Sequence, residues 1–231
     1  MKAAHTLLIP ATFLFSSMAY AELSSTVTFA SDYLFNGVSQ TDENPALQVS
    51  LDWAGESGSY AGAWASNVHF FEGTEIEFDP YVGYYTELSS NLALDVGIAY
   101  YTYWGESFSS DYNYPEAWVK FGLTNALGKT DFNFWYTWDY FGLDAKHAIY
   151  MINHTFSFDN GVSLLIGADM SVSYDEDKWE WEPGDDNYMH YQITAFYDWK
   201  GMTFSLGVQD TDLDTYGDTT VLFTVSKTFS F

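Results

Sequence analysis

The chain has 231 residues, with 32 Asp and Glu against seven Lys and Arg, a formal net charge of −25, no cysteine and 20% aromatic residues. The charge excludes a nucleic-acid partner, whose phosphates require Lys and Arg. The lack of cysteine excludes disulfides, thiolate metal sites and a cysteine nucleophile.

Lys2 opens the chain, followed by a short apolar core at Leu7, Leu8, Ile9 and Ala11 to Phe15, and then by the small residues of Ala19-Tyr20-Ala21. This is the order of a secretory signal peptide, and cleavage is expected after Ala21. Pro10 and Thr12 interrupt the core, which is too short to span a bilayer as a helix. The expected organisation is a signal peptide at 1–21 and one domain at 22–231, since no composition break divides the remainder. No later window supplies the ~20 continuous apolar residues of a transmembrane helix. A mature membrane protein here is therefore a closed barrel, the other fold that satisfies every backbone group in lipid.

From residue 24 onward the chain alternates. The clearest run is Leu92, Leu94, Val96, Ile98 and Tyr100, interleaved with Ala93, Asp95, Gly97 and Ala99. A period of two places one apolar and one polar or small face on a strand. The same pattern predicts about twelve strands, near 24–37, 46–53, 59–68, 75–87, 92–103, 114–123, 130–141, 146–156, 162–173, 188–199, 202–210 and 219–231. One outward row is Phe132, Phe134, Tyr136, Trp138 and Tyr140. The connections alternate between short turns, such as Lys200-Gly201, and longer acidic loops, such as 174–187 and 211–218. In the long set only Gly142 to Ala145 is short. The expected fold is all-β, a transmembrane antiparallel outer-membrane β-barrel with short periplasmic turns and long extracellular loops. Its expected surroundings are outer-membrane lipid and lipopolysaccharide, and its 20% aromatic content fits two aromatic girdles at the interfaces. The last strand ends on Phe231, with Phe229, Val225 and Phe223 on one face, which looks like the recognition signal of the barrel-assembly machinery. Lys227 departs from that pattern, and its long stem is expected to snorkel.

Several segments resemble the TorF-type porins, a conserved proteobacterial outer-membrane family. They are the string Ser31-Asp32-Tyr33-Leu34-Phe35-Asn36-Gly37-Val38-Ser39-Gln40, then Asn44-Pro45-Ala46-Leu47-Gln48, Trp64-Ala65-Ser66-Asn67-Val68, Tyr81-Val82-Gly83-Tyr84, Tyr100-Tyr101-Thr102-Tyr103, Tyr114-Pro115-Glu116 and Asp139-Tyr140-Phe141-Gly142. Asn36 stands where that family has a basic residue, and Trp104 where it has Pro. The resemblance covers about residues 23 to 142 and implies an outer-membrane porin-like protein. It brings no substrate and no catalytic residue.

The face opposite the apolar rows is expected to line a pore. It carries the acids Asp32, Asp52, Glu77, Asp79, Asp95, Glu116, Asp131, Asp139, Asp169 and Asp198, with Lys120 as the clear base and the histidines His147 and His190. Carboxylates in a confined low-dielectric passage attract cations and repel anions. Tyr81, Tyr101, Trp118 and Trp135 share this face and are expected to narrow it. The expected function is passive diffusion of small solutes with a cation preference. A non-conducting structural or surface barrel is the alternative. The acidic loops lack calcium-loop spacing, and no zinc, phosphate-loop or other cofactor motif is present. A catalytic site would have to use His147 and His190 with Asp139 at the outer rim, and no local motif supports one. Enzymatic activity is therefore not expected.

Overall fold

The computed structural model describes residues 22–70 and 73–231, except for the side chain of Phe70. The predicted signal segment lies outside the described residues. The strands are β1 (Glu22–Ala30), β2 (Leu34–Phe35), β3 (Val38–Ser39), β4 (Ala46–Ala54), β5 (Ser59–Phe70), β6 (Thr74–Ser89), β7 (Leu92–Gly105), β8 (Tyr114–Asn125), β9 (Gly128–Thr137), β10 (His147–Ser157), β11 (Val162–Ser173), β12 (Asn187–Trp199), β13 (Met202–Thr211) and β14 (Thr220–Ser230). Strand β1 and strands β4 to β14 close into one antiparallel barrel of twelve strands, in which each strand pairs with its sequence neighbour and β14 pairs with β1. Closure leaves no unpaired sheet edge. Each barrel strand has 9 to 16 residues, enough for the ~9–11 tilted residues that cross a bilayer.

The pleat sorts the side chains. Leu47, Val49, Leu51 and Trp53 on β4 point outward and are exposed, as are Ile76, Phe78, Val82 and Tyr84 on β6 and Tyr191, Ile193 and Tyr197 on β12. The buried set includes Glu77, Asp79, Asp95, Glu116, Lys120, Asp169 and His190. This inverts the usual soluble arrangement, in which large apolar patches are covered. Among the described residues, every barrel strand but β5, whose outer face carries Ala61, Ala63 and Ala65, presents exposed large apolar side chains, and together they match a lipid-facing belt. Lys227 belongs to this outer face, and its Nζ sits 5.0 Å from the Phe229 ring centroid.

Two strand ends differ from the alternation. Strand β1 stops at Ala30, and residues 31–45 turn into the barrel as a loop bearing the β2–β3 hairpin. Phe35 pairs with Val38 across Asn36 and Gly37, which both have positive φ, 46° and 84°. A two-residue turn with two positive φ values favours Asn-Gly, because Gly carries no Cβ to clash there. Strand β9 stops at Thr137, a 3-10 turn follows at Tyr140–Gly142, and the connection to β10 runs over 138–146. It is therefore not the short link the sequence suggests. The break also reverses parity, so Tyr140, expected outward, lies buried inside.

Candidate functional site

Two walls of different chemistry enclose the barrel interior. Strands β4 to β9 carry carboxylates and large rings. Strands β10 to β14, with β1, carry mainly hydroxyls and amides, such as Asn153, Gln192, Thr194, Ser205 and Ser226. On the first wall the carboxylates meet donors from their own strand, the adjacent strand or the next but one. Asp52 accepts from the Tyr81 hydroxyl and from Ser50 Oγ, the latter at 2.7 Å. Asp95 Oδ1 accepts from Tyr60 Oη at 2.6 Å and from Trp118 Nε1 at 2.7 Å. Glu116 Oε1 accepts from Tyr101 Oη at 3.0 Å, and Asp79 Oδ1 from the Thr102 backbone N–H at 3.4 Å. Hydrogen bonds to charged groups contribute about 1.5–3 kcal/mol each, so these acids are held in fixed positions.

The rings fit because the facing strand is cut back. A Cβ on Gly97 would run into the Trp118 ring, which lies against the β7 backbone. Trp118 and Trp135 are cross-strand partners on β8 and β9. Lys120, two residues beyond Trp118 on the same face, places Nζ 4.9 Å from the Trp118 centroid and 5.0 Å from that of Trp135. Beside it lies a cavity of about 50 Å³ lined by Tyr33, Trp64, Asp79, Tyr81, Ala99, Tyr101 and the Lys120 group.

The inward loop lies across this interior. Tyr33 packs edge-on against Trp64 of β5 at 5.3 Å. At the hairpin tip, Asn36 Nδ2 donates to Ser171 Oγ at 3.4 Å, and its carbonyl accepts from Tyr188 Oη at 3.0 Å. The loop thus reaches from the acidic wall to the hydroxyl wall. Asp32, expected on a strand, sits in this loop and accepts from Ser39 Oγ and Thr41 Oγ1, both at 2.7 Å, fastening the hairpin base. Asp139 also lies off the strands, past the end of β9, where its Oδ1 accepts the Asp144 N–H at 2.7 Å. The other predicted pore residues, Glu77, Asp79, Asp95, Glu116, Lys120, Asp169, Tyr81, Tyr101, Trp118 and Trp135, are inside on their strands.

Sequence reading missed three interior features. Lys129 pairs with Asp131 at 2.6 Å, although its parity with Asp131 was visible. The Asn36-Gly37 turn lies within the expected strand at 24–37. His190 and Asp169, both expected on the inward face, prove to be bonded across adjacent strands, Nδ1 to Oδ2 at 2.6 Å, with Gln209 at 3.0 Å from Nε2, a pairing the periodicity does not show. With both ring nitrogens engaged, His190 has none left to activate a hydroxyl nucleophile. His147 does not join it. It stacks on Tyr140 at 4.1 Å within an aromatic cluster that includes Trp179, Trp181 and Tyr188.

The long loops at this end are tied together. Lys178 Nζ meets Asp144 at 2.6 Å, and the Glu182 carboxylate accepts the backbone N–H groups of Asp214 and Thr215. Those donors hold the Glu182 carboxyl below its ordinary range. A depressed folded-state pKa contributes stability above the unfolded pKa and loses it as pH falls. Docking of the 174–186 loop on the 212–219 loop is thus expected to be complete at neutral pH. It weakens as pH drops through and below the usual carboxylate range near ~4.3. Protease accessibility of the two loops against pH measures this, and Glu182→Gln should remove the pH dependence.

A family model described as "Bacterial protein of unknown function (Gcw_chp)" matches residues 16–229. No curated protein sequence matches. Among solved structures, the chain is similar to the KdgM porin in complex with disordered oligogalacturonate, with TM-score 0.60 and 7% identity over 91% of this chain and 99% of that one. It is also similar to the NanC porin, with TM-score 0.57 and 10% identity over 88% and 97%. An outer membrane channel from Pseudomonas putida F1 gives TM-score 0.58 and 9% identity over 97% and 100%. At these identities the likeness is one of fold: the barrel is that of outer-membrane porins.

Proposed function

We propose that this chain, which belongs to the Gcw_chp family of bacterial proteins, is an outer-membrane channel for passive diffusion of small solutes, favouring cations and neutral molecules over anions. One observation carries the reading. An apolar outer belt encloses an interior to which every barrel strand contributes at least one buried polar side chain, from Thr28 on β1 to Ser226 on β14. A barrel made only for anchorage has no need of a charged interior, since burying ionised groups costs several kcal/mol each. The partial match to TorF-type porins supports the same reading. The long acidic loops would then face outward and the short turns the periplasm.

The charge sets the sign of the preference. Asp52, Glu77, Asp79, Asp95, Glu116 and Asp131 on the first wall outnumber Lys120 and Lys129. The KdgM porin structure holds oligogalacturonate, a polyanion. Such a solute meets mostly like charge here, so the substrate class differs from that of KdgM. Twelve strands also lie between the filled eight-stranded and the open sixteen-stranded barrels, which suits small solutes.

Refolded protein in a planar bilayer tests the proposal. Discrete conductance steps with a reversal potential on the cation side are expected. The double variant Asp79→Asn/Glu116→Gln should move that potential toward anions, most clearly at low salt, where screening is least. A wild-type pore that prefers chloride would reverse the charge argument. The second reading, a barrel that does not conduct, is favoured by the loop across the interior and the aromatic cluster at the long-loop end. Silence in the bilayer from a spectroscopically verified barrel would establish it.

A further inference from the structure

We propose that the box around Lys120 is a binding site for a small primary alkylammonium, and that the Lys120 ammonium is its tethered resident, which keeps other cations out. The inference deepens the channel reading and rests on it for its permeation arm.

The box has the chemistry of an ammonium receptor. A cation over the face of an indole is attracted by the ring quadrupole. Here two indoles, Trp118 and Trp135, present themselves to one Nζ at 4.9 and 5.0 Å. Asp95 stands directly across from Lys120 in the β7–β8 register and fixes Trp118 through its Nε1–H at 2.7 Å. Two acceptors remain spare. Glu116 Oε2 and Asn133 Oδ1 are buried with no hydrogen-bond partner, and Asn133 faces Lys120 in the β8–β9 register. The Lys120 ammonium, held by its stem, leaves both unbonded; a free primary ammonium keeps the same three N–H donors and can shift to turn them toward these acceptors while staying over the ring faces. A cavity of about 50 Å³ adjoins the box, lined by Tyr81, Tyr101 and the two indoles among others. Within the box the cation position is already filled by Lys120.

Cutting Lys120 back to Ala removes three carbons and the ammonium, the outline of n-propylammonium. That ion is the probe. In detergent-solubilised Lys120→Ala barrel, tryptophan fluorescence should saturate with n-propylammonium chloride at least about tenfold lower in concentration than in wild type. Tetramethylammonium, which has no N–H donor, and n-propanol, which has no charge, should bind less well. Adding Trp118→Leu and Trp135→Leu should abolish the response. In bilayers, Lys120→Ala should raise the cation share of the current, and n-propylammonium should block it. Lys120→Ser, whose hydroxyl takes the place of one of the three removed carbons, serves if the Ala variant does not refold. A response equal in wild type and variant, or equal for n-propylammonium and tetramethylammonium, overturns the proposal. The fluorescence arm reads binding even in a barrel that passes no current. A silent barrel that binds the probe therefore fails only the channel reading, and a conducting barrel that ignores it fails only this one.

Discussion

Replacing residues 32–45 by a four-residue turn is expected to raise single-channel conductance several-fold. Strands β1 and β4 are hydrogen-bonded neighbours, and Ala30 lies opposite Ala46 in their register. A short turn therefore closes the gap and keeps the β1–β4 pairing, at the loss of the bonds from His69 N–H and Asn67 Nδ2 of β5 to the Gln40 and Pro45 carbonyls. What it removes is the segment that crosses the interior. Tyr33 leaves Trp64, and the Asn36 and Gly37 tip leaves Ser171, Tyr188 and the His190 ring. Liposome swelling should show larger neutral solutes entering at the same time. Barrel stability should change less than conductance, since β2 and β3 pair with each other and not with the barrel. Conductance that stays at the wild-type level would move the constriction to the aromatic cluster of Tyr140, Trp179 and Trp181. A milder probe is Gly37→Val. Its φ of 84° strains any β-branched residue, so the tip should detach and the current become noisy.

The second large effect is expected from Val82→Arg. Val82 lies midway along β6, paired with Ala61 and Ile98, and is 54% exposed. On a soluble protein an exposed substitution of this kind changes stability by about 0.5 kcal/mol or less. On a barrel in lipid, a guanidinium at the bilayer midplane costs about 2–4 kcal/mol. Urea unfolding in lipid vesicles should therefore show a loss in that larger range. The control is Leu127→Arg. Leu127 is more exposed, at 72%, but sits in the short turn between β8 and β9, where water is at hand. Its variant should fall near the soluble value. Equal and small effects at both positions would overturn the lipid-facing assignment.

What was legible in the sequence follows from the pleat. Successive side chains point to opposite faces, so Leu92 to Tyr100 and Leu47 to Trp53 declare their outer face without reference to any partner. The short turns, such as Lys200-Gly201 between paired Trp199 and Met202, declare the pairing of neighbours. Together they specify a barrel of consecutive antiparallel strands and the inward placement of Glu77, Asp79, Asp95, Glu116, Lys120 and Asp169.

The same rule could not tell where a strand leaves the wall. An extended segment alternates whether it pairs with a neighbour or turns inward, so Tyr33 and Phe35 continued the rhythm of β1 beyond Ala30. The bend at Asp139 restarts the count, and one irregular residue moves Tyr140 to the other face. Contacts inside the barrel lay further out of reach. Asp95 bonds Tyr60 and Trp118, 35 and 23 positions away, and His190 meets Asp169 on the adjacent strand. Which inward side chains touch depends on register, strand tilt and closure acting together. Periodicity along one strand carries none of those, so the tertiary structure alone decided that the acids are tethered, that Lys120 lies between two indoles, and that the first loop crosses the interior.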